Sequence, residues 1–511
     1  MSIFTEREIK LATSLIELSH SNPFKPERVE IEQSILGSRS VERETTWSWT
    51  SQSSGGRQNI ALLQTQAQEL LSGMRDKVAA CSALSEKDSL LYTDCVLYTL
   101  YHRYDDYLRE LLERSLETGE PAVEAPFYKE FRAEARYYYH VGTHRFDELN
   151  RLPHILALGF QLKRAFHFII NSFVGRSAAM SHLRASVWQS IVTHDTRRYS
   201  LRLYDQMASF GTLICGPSGT GKELVARAIA YSRYIPFDPK RSCFEEDFRQ
   251  SFYPLSLSAL ANSVIESELF GHTRGSYTGA NADRIGFFEA SGPLGTVFLD
   301  EIGDVSAEIQ VKLLRVLQTR SFQRLGDTKM RPFDGKIVAA TNADLTKQME
   351  TGAFREDLYY RLCADKIVTP SLDDQIAGDP EELEHMLQFI AKRVVGESMA
   401  PSLAVDVHNW IRKELPANYP WPGNIRELEQ CVRNIVIRNE YRPATTRHTK
   451  SSAKLENAVG KRSLKLNELI EWYCTTVYAE TGSYEHAARK LGVDPRTLKT
   501  KINQDRLVGA L

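Results

Sequence analysis

The chain lacks any cysteine pattern that would hold a metal or a disulfide. Its 511 residues include seven cysteines, none in a CxxC pair, at positions 81, 95, 215, 243, 363, 431 and 474. This spacing supports neither a zinc knuckle nor a thioredoxin-like redox motif. An odd, scattered set of thiols is typical of buried cysteines in a reducing compartment.

A charge excess and a long apolar run are missing as well. The net charge is −1, so any contact with nucleic acid must come from a local basic patch. The first ten residues, MSIFTEREIK, contain no apolar signal core. The most apolar stretch, 152–174, is interrupted by Lys163 and Arg164 and is interpreted as a buried helix, not a membrane span. We therefore expect a cytoplasmic protein without membrane attachment.

The composition that is present, 42% hydrophobic and 25% charged residues, is that of a globular protein. At roughly 150 residues per domain, the length suggests about three domains. The apolar patterns predict a multidomain chain that is mostly α-helical over 1–172, α/β over 173–370 and helical over 371–440, with a polar linker at 441–463 and an all-α unit at 464–511.

The N-terminal region matches no sensor domain by its motifs. An apolar stripe that runs from Leu90 to Leu111 predicts one core-facing helix over 89–116. Two tyrosine groups, 98/101/104 and 137–139, could line a ligand pocket, although an aromatic-rich helical core is the favoured interpretation. No pattern of strand-end acidic residues suggests a phospho-receiver, so control by aspartyl phosphorylation is not expected.

A glycine-rich loop lies between a predicted strand, 210–215, and a predicted helix, 222–232. The loop consists of Gly216, Pro217, Ser218, Gly219, Thr220, Gly221 and Lys222. Strand, loop and helix form the context of a P-loop, in which backbone N–H groups and the helix N-terminus hold phosphate oxygens. Lys222 would neutralise the β- and γ-phosphates of ATP. Glu223 stands where Ser or Thr usually contacts Mg²⁺, and the predicted helix places Leu224, Val225, Ala228 and Ile229 on one side.

Two further predicted strands end in polar residues. Asp300 and Glu301 follow a buried strand at 295–299, and Asn342 follows another at 336–341. We expect Asp300 to hold Mg²⁺ and Glu301 to polarise the attacking water. Asn342 would sense the γ-phosphate or orient the water; a simple strand-ending turn residue is the alternative.

Three more segments make the resemblance specific. Residues 268–272 read Glu-Leu-Phe-Gly-His, and residues 298–304 read Phe-Leu-Asp-Glu-Ile-Gly-Asp. A surface loop follows the first segment and consists of Gly275, Ser276, Tyr277, Thr278, Gly279 and Ala280. With Glu223 after the P-loop lysine, these residues resemble one branch of the AAA+ ATPases, the bacterial sigma-54-dependent transcriptional activators, over about 174–437.

The resemblance implies a role for each segment. The 275–280 loop would contact the sigma factor through the exposed ring of Tyr277 and move with ATP hydrolysis; a loop that no longer engages sigma is the alternative. Arg355 and Arg361 lie in a segment similar to the family's arginine fingers, which reach the nucleotide of a neighbouring subunit. Arg426 lies in a segment similar to its sensor-two box, in the helical lid. Fingers acting between subunits imply a ring, expected to be a hexamer.

Three departures set the chain apart from the family pattern. Ser256 stands where the family usually has an Asn that pairs with the catalytic Glu, so the linkage from hydrolysis to the loop is expected to be weaker or rerouted. Residues 372–375 read Leu-Asp-Asp-Gln in place of Leu-Arg-Glu-Arg. Extra residues stand before the P-loop, near 194–207, and after its helix, near 233–249.

The C-terminal unit has the pattern of a helix-turn-helix. A helix at 483–491, a turn at Gly492 and a helix at 495–503 capped by Asp494 resemble the Fis-like DNA-binding domain of the same activators. The residues expected to face DNA are Arg489, Lys490, Arg496, Thr497, Lys499, Thr500 and Lys501.

The sequence thus predicts a transcriptional activator that binds upstream DNA and uses ATP hydrolysis to convert closed complexes of sigma-54 RNA polymerase into open ones. Two alternatives stay open. The chain is a DNA-binding regulator whose AAA+ part only oligomerises, or it remodels some other protein.

Overall fold

The computed structural model describes residues 2–41, 55–118, 124–277, 280–379, 381–416, 419–443, 466–481 and 483–502. They belong to two compact units, Met1–Glu440 and Tyr441–Leu511. Most of the predicted linker (444–463), the end of the predicted C-terminal unit (503–511) and two residues of the predicted sigma-contact loop, Thr278 and Gly279, lie outside the described residues.

The first part of the larger unit is helical. Its helices are α1 (Glu6–His20), α2 (Pro26–Leu36), α3 (Gly55–Ala80), α4 (Glu86–Arg103), α5 (Asp105–Thr118), α6 (Tyr128–Tyr139), α7 (Leu152–Ser172), α8 (Ala178–Val192) and the short α9 (Thr196–Arg198). A small hairpin, β1 (His140–Val141) with β2 (His144–Arg145), follows α6.

The single helix predicted for 89–116 is wrong, because the chain breaks at Tyr104. Tyr104 ends α4 with φ −97° and ψ 6°, and its ring packs edge-on against Phe131 at 5.1 Å. Asp105 and Asp106 then open α5, where acidic side chains favour a helix N-terminus. Leu90, expected in the buried stripe, is 44% exposed.

The α/β part is built on a five-stranded parallel sheet in the order β11–β3–β10–β7–β6. The strands are β3 (Thr212–Cys215), β6 (Phe252–Ser256), β7 (Thr296–Asp300), β10 (Lys336–Thr341) and β11 (Asp365–Val368). The central strands β3, β7 and β10 are buried almost throughout, as expected for a sheet covered on both faces. Because all five run in parallel, the loops after β3, β7 and β10 meet at one edge.

Helices and short hairpins complete this unit. The helices are α10 (Lys222–Tyr231), α11 (Asn262–Phe270), α12 (Phe287–Ala290), α13 (Ala307–Thr319), α14 (Leu345–Glu350), α15 (Glu356–Leu362), α16 (Leu372–Gly378), α17 (Glu382–Val395), α18 (Ala400–Glu414) and α19 (Asn424–Arg438). The hairpins are β4 (Phe237–Asp238) with β5 (Cys243–Phe244) and β8 (Ser321–Phe322) with β9 (Arg331–Pro332). In α10, Val225, Ala228 and Ile229 are buried as predicted, but Leu224 is 41% exposed.

The extra residues after the P-loop helix form part of the N-terminal core. The β4–β5 hairpin places Phe237 and Phe244 5.1 Å apart, edge to face. Phe237 packs on Tyr128 of α6 at 4.6 Å, and Phe244 packs on Phe160 of α7 at 4.5 Å. The insertion thereby joins the N-terminal helices to the α/β part through a shared hydrophobic core.

Helix α7 also contacts the end of α10 directly. The fully buried Arg164 donates to the carbonyls of Tyr231 and Arg233, at 2.6 and 2.7 Å. The side-chain amide of Gln161 donates to the carbonyl of Ser232 at 2.9 Å. These donors satisfy carbonyls that have no partner within α10. The apolar stretch around Arg164 is therefore a buried helix, as predicted. Across the described part of the chain, no helix has both the length and the apolar character needed to span a membrane.

The smaller unit contains α20 (Leu466–Thr481), α21 (Tyr484–Leu491) and α22 (Pro495–Lys501). Ala487, Ala488 and Leu498 are buried against Cys474 and Val477 of α20. Gly492 ends α21 in the left-handed conformation, with φ 66°. The Asp494 side chain caps α22 by accepting from the backbone N–H of Arg496 at 2.8 Å.

Replacing Phe244 by Ala tests the role of the β4–β5 hairpin. Because Phe244 is 2% exposed, its truncation should lower the free energy of unfolding by about 3–5 kcal/mol, measured by urea denaturation followed by circular dichroism. Phe210→Ala is the matched control, since Phe210 is 43% exposed. Equal stability of the two variants would contradict the shared core.

Candidate nucleotide-binding site

The glycine-rich loop sits where the sequence predicts it, between β3 and α10. Gly219 has φ +78°, and a Cβ there would overlap the carbonyl oxygen of Gly423 in the lid, so both conformation and space require glycine. No side chain caps the N-terminus of α10. Its first backbone N–H groups and the positive end of the helix dipole are therefore available to an anion.

Lys222 is buried inside this loop. Its ammonium group donates to the carbonyls of Gly216 and Pro217, at 3.0 and 3.1 Å. Burial lowers the pKa of Lys222, while the nearby carboxylates of Glu301 and Asp300 act in the opposite direction. The structure thus brings the lysine and the acidic pair into one electrostatic site.

Asp300 and Glu301 lie at the carboxyl end of β7, beside the loop. Burial raises the pKa of Asp300, and the positive charge of Lys222 opposes that shift. Glu301 adopts the left-handed conformation, with φ 56°. Its carboxylate accepts the backbone N–H of Asn342 at 3.4 Å. The contact between Asn342 and Glu301 is thus made by the main chain of Asn342. Asn342 as a whole is exposed to solvent.

The lid helix α19 closes over the loop. Arg426 donates to the Ser218 hydroxyl at 3.4 Å, and the backbone N–H of Ile425 donates to the carbonyl of Gly219 at 3.1 Å. The positive charge of Arg426 opposes protonation of both Lys222 and Asp300. Arg426 therefore lies at the same site as the P-loop, as its motif predicts.

Two residues of this site were missed by the sequence reasoning. The buried Asn424 side chain donates to the carbonyl of Ser218 at 2.9 Å and accepts the backbone N–H of Leu372 at 2.8 Å. The buried Thr369 hydroxyl lies 2.7 Å from that of Thr220. The only available signal was the position of Asn424, two residues before Arg426 in the segment similar to the sensor-two box.

The departures from the family pattern have structural counterparts. Ser256 pairs in register with Asp300 at the carboxyl end of β6, yet among the described residues its hydroxyl has no hydrogen bond to Glu301. The altered segment 372–375 opens α16, where Ser371 and Asp374 form a capping box. Glu223, one residue after the P-loop lysine, forms a 2.6 Å ion pair with Arg227 on the surface of α10.

Arg355 and Arg361 are not brought to the nucleotide loop of their own chain. Both are exposed, and the guanidinium of Arg355 pairs with Asp357 at 2.7 Å. The backbone of Arg361 contacts Gly211, just before β3. The nucleotide loop begins after the last residue of β3, and the four residues of this strand separate it from Gly211 by about 13 Å. Arg361 thus lies at the end of β3 opposite to the loop.

The 275–280 loop projects from the segment after α11. Its base is held by a 2.6 Å ion pair between Arg284 and Glu268 and by backbone bonds between His272 and Arg284. Tyr277 is 44% exposed, and its ring meets the imidazole of His272 edge-on at 5.1 Å. The ring is therefore presented to solvent with one specific contact behind it.

The predicted DNA-facing residues of the smaller unit share one property, which is exposure to solvent. They are Arg489, Lys490, Arg496, Thr497, Lys499, Thr500 and Lys501. Between 484 and 502, five of the side chains are basic (489, 490, 496, 499, 501) and two acidic (485, 494). This local excess of positive charge attracts phosphate groups.

Comparison with known proteins places this geometry in a family. Residues 192–368 match the model of the sigma-54 interaction domain. The chain is 36% identical over 342 residues to the transcriptional regulatory protein ZraR of Escherichia coli K12, which covers 65% of this chain and 68% of ZraR. The chain belongs to the sigma-54-dependent transcriptional activators. It is accordingly an ATPase of the AAA+ class that regulates transcription.

Two further relatives found by sequence are also named as regulatory proteins. The chain is 30% identical over 437 residues to the regulatory protein AtoC of Escherichia coli K12, over 81% of this chain and 88% of AtoC. It is 38% identical over 291 residues to the Nif-specific regulatory protein of Azotobacter vinelandii, over 55% of this chain and 52% of that protein. The crystal structure of NtrX from Brucella abortus aligns with 23% identity and a TM-score of 0.39, over 73% of this chain and 79% of NtrX.

Replacing Asn424 by Asp tests the lid contact with the loop. The change keeps the acceptor for Leu372 but removes the donor to Ser218 and adds a negative charge beside the phosphate site. Nucleotide affinity, measured with a fluorescent ADP analogue, should fall at least ~5-fold, about 1 kcal/mol, as for the loss of one buried hydrogen bond.

Asn439→Asp is the matched control for this change. Asn439 has the same left-handed conformation, with φ 54°, and is exposed at the far end of α19, about 22 Å away along 15 residues. If Asn424→Asp binds the analogue as tightly as this control does, the proposed lid contact has no role in nucleotide binding.

Proposed function

We propose that this activator works in the bacterial cytoplasm, bound to DNA upstream of its promoters, as a hexameric ring. ATP hydrolysis in the ring converts closed complexes of sigma-54 RNA polymerase into open ones. One observation carries this proposal. The P-loop, the acidic pair and the lid arginine converge on one site, while an exposed aromatic ring projects from a separate anchored loop.

The residues at this site fit ATP and Mg²⁺. The uncapped N-terminus of α10 and the ammonium of Lys222 suit the phosphates, and Arg426 stands beside them in the lid. No group of three or more His, Cys, Asp or Glu side chains in the described ranges is arranged to hold a metal by itself. Proteins commonly hold Mg²⁺ by one or two carboxylates together with substrate phosphates. Asp300 would be the carboxylate.

Glu301 is the proposed base that orients the attacking water. It follows Asp300 at the edge of the sheet, and the backbone N–H of Asn342 holds its carboxylate. This contact links β7 to β10, so a change at Glu301 would reach the strand next to it. Among the described residues Ser256 forms no hydrogen bond with Glu301, and the link between hydrolysis and the moving loop would instead run through Asn342.

The arginine fingers would act on the neighbouring subunit. Arg361 lies at the opposite end of β3 from its own nucleotide loop, and Arg355 is equally exposed. A guanidinium from the next subunit would stabilise charge on the transferring phosphoryl group. A closed ring lets every site receive such a residue.

The loop around Tyr277 is the proposed sigma-contact element. Its described residues are Gly275, Ser276, Tyr277 and Ala280, and the backbone N–H of Gly275 donates to the carbonyl of Ala280 at 2.9 Å. An aromatic ring that stays exposed on a loop is suited to contact a partner.

The helix pair α21–α22 would bind DNA. A helix at the position of α22 enters the major groove in helix-turn-helix proteins. Arg496, Thr497 and Thr500 would contact base edges or the backbone, while Lys499, Lys501, Arg489 and Lys490 supply phosphate contacts. Two copies on a near-palindromic site would give the affinity that one small module lacks.

Replacing Glu301 by Gln tests the hydrolytic site. The amide keeps the shape but cannot act as a base, so the rate of ATP turnover should fall at least ~100-fold, the lower range for general-base catalysis. Affinity for a fluorescent ADP analogue should stay within about twofold. Glu308→Gln, exposed in the first turn of α13, is the matched control. A Glu301→Gln protein with wild-type turnover would rule out this assignment.

Replacing Tyr277 by Ala tests whether the 275–280 loop contacts sigma-54. Binding to sigma-54, measured by pull-down with an ATP transition-state analogue, should be lost while ATP turnover stays within about twofold, because the ring touches His272 and not the nucleotide site. Tyr277→Phe keeps the ring and should keep binding. Retained sigma-54 binding by the Ala variant would refute the role of the loop.

A further inference from the structure

A cavity of about 800 Å³ lies between α4 and α7, inside the N-terminal helices. One face of each helix lines it at helical spacing. On α4 these residues are Leu90, Asp94, Leu97 and Tyr101, and on α7 they are Ile155, Leu158, Leu162 and Phe166. Two such faces usually pack against each other in a helical domain. Here the faces of α4 and α7 are separated by the cavity. The volume of this cavity lies within the range of small-molecule binding sites, roughly 300–1,000 Å³.

The charges around the cavity balance. Five basic side chains line it (Arg28, Arg109, Arg151, Lys163, Arg197), as do five acidic ones (Asp94, Asp105, Asp106, Glu113, Glu148). Several are paired with each other: Lys163 with Asp105 at 2.6 Å, and Arg197 with Asp94 at 3.3 Å. With equal numbers of both signs, the lining has no excess charge to offset the hydration that a charged ligand would lose. The cavity therefore favours an uncharged occupant.

Three polar side chains on α4 could form hydrogen bonds with an uncharged ligand. Tyr98, Tyr101 and His102 line the cavity, and the rings of both tyrosines contact the imidazole. Among the residues that the structure describes, none of these three side chains forms a hydrogen bond. Burial lowers the pKa of His102 to about 3, so its imidazole is neutral at pH 7 and offers one donor and one acceptor. A ligand with a hydroxyl or carbonyl group would satisfy these groups.

We propose that the cavity between α4 and α7 is the binding site for an uncharged, largely apolar small molecule that carries at least one hydrogen-bonding group. The apolar wall from α7 receives its hydrocarbon part. Tyr98, Tyr101 and His102 receive its polar group.

The site is linked to the nucleotide loop. Tyr199 lines the cavity, and its hydroxyl hydrogen-bonds to Gln161 at 2.7 Å; Gln161 in turn donates to the carbonyl of Ser232 at the end of α10. On the opposite side of α7 from the cavity wall, Arg164 holds the carbonyls of Tyr231 and Arg233. Filling the cavity moves or stiffens α7 and thus changes the rate of ATP turnover; this consequence, unlike binding itself, rests on the proposed function.

The test uses two fluorescent probes and the full chain. N-phenyl-1-naphthylamine is uncharged, and 8-anilinonaphthalene-1-sulfonate has the same rings with a sulfonate added. The uncharged probe should bind with one site per chain and raise the melting temperature, and the sulfonate should bind at least ~10-fold more weakly. No saturable binding of the uncharged probe, or tighter binding of the sulfonate, would overturn the proposal.

Substitutions locate the site. Leu97→Trp combined with Leu158→Trp fills the cavity and should weaken binding of the uncharged probe at least ~10-fold. Leu116→Trp, 39% exposed on α5 and outside the cavity lining, is the matched control and should bind normally. Equal binding by both variants, with both folded by circular dichroism, would place the probe elsewhere and refute the assignment.

A second variant tests the polar groups without a change in bulk. Tyr101→Phe should weaken displacement of the probe by 1-naphthol at least ~3-fold and leave displacement by naphthalene unchanged, because only 1-naphthol has a hydroxyl group. Tyr137→Phe, at a 54% exposed tyrosine outside the cavity lining, is its control. An unchanged 1-naphthol affinity in Tyr101→Phe, together with unchanged affinity in a His102→Leu variant, would contradict polar recognition by α4.

Discussion

The helix that follows the nucleotide loop connects the phosphate site at its N-terminus to the N-terminal helices at its C-terminus, and the rest of the larger unit is arranged around it. At its N-terminus, α10 presents uncapped N–H groups and Lys222 to the phosphate site. At its C-terminus, the buried Arg164 and Gln161 of α7 satisfy the carbonyls of residues 231–233. A displacement of α7 cannot leave α10 unchanged, because these bonds are buried and breaking them leaves charged and polar groups unpaired. The N-terminal helices and the ATPase therefore share one mechanical element.

The insertion after α10 adds a second connection between this helix and the N-terminal helices. The chain leaves α10 at Ser232 and forms the β4–β5 hairpin, whose phenylalanines enter the core of the N-terminal helices. This apolar contact holds α6 and α7 against the α/β part while Arg164 fixes the position of α7 along α10. The cavity lies on the other side of α7, so a ligand there acts on a helix that is already tied to the nucleotide loop.

The parts of the site that are contiguous in sequence could be predicted, since strand, glycine loop and helix carry their own signals. Leu224 shows the limit of such patterns: it belongs to the apolar set of α10, yet it faces solvent. The contacts of Thr369 and Asn424 could not be predicted, because their partners Thr220 and Ser218 are about 150–200 residues away in the chain. The break at Tyr104 depends on packing against Phe131, which the helical stripe does not record. The cavity arises because α4 and α7 stand apart, a tertiary fact that neither helix shows alone.

A single chain holds only part of the proposed catalytic site, since the proposed arginine fingers, Arg355 and Arg361, lie away from its own nucleotide loop. The most direct measurement of this central claim is ATP turnover after mixing two inactive variants, Lys222→Ala and Arg361→Ala. If the site is shared between subunits, mixed rings contain some intact pairs, in which an Arg361→Ala chain supplies the loop and a Lys222→Ala chain supplies the finger. Turnover should then recover to a measurable fraction of wild type, with a maximum near equal proportions. A mixture that stays as inactive as its two components would contradict the account.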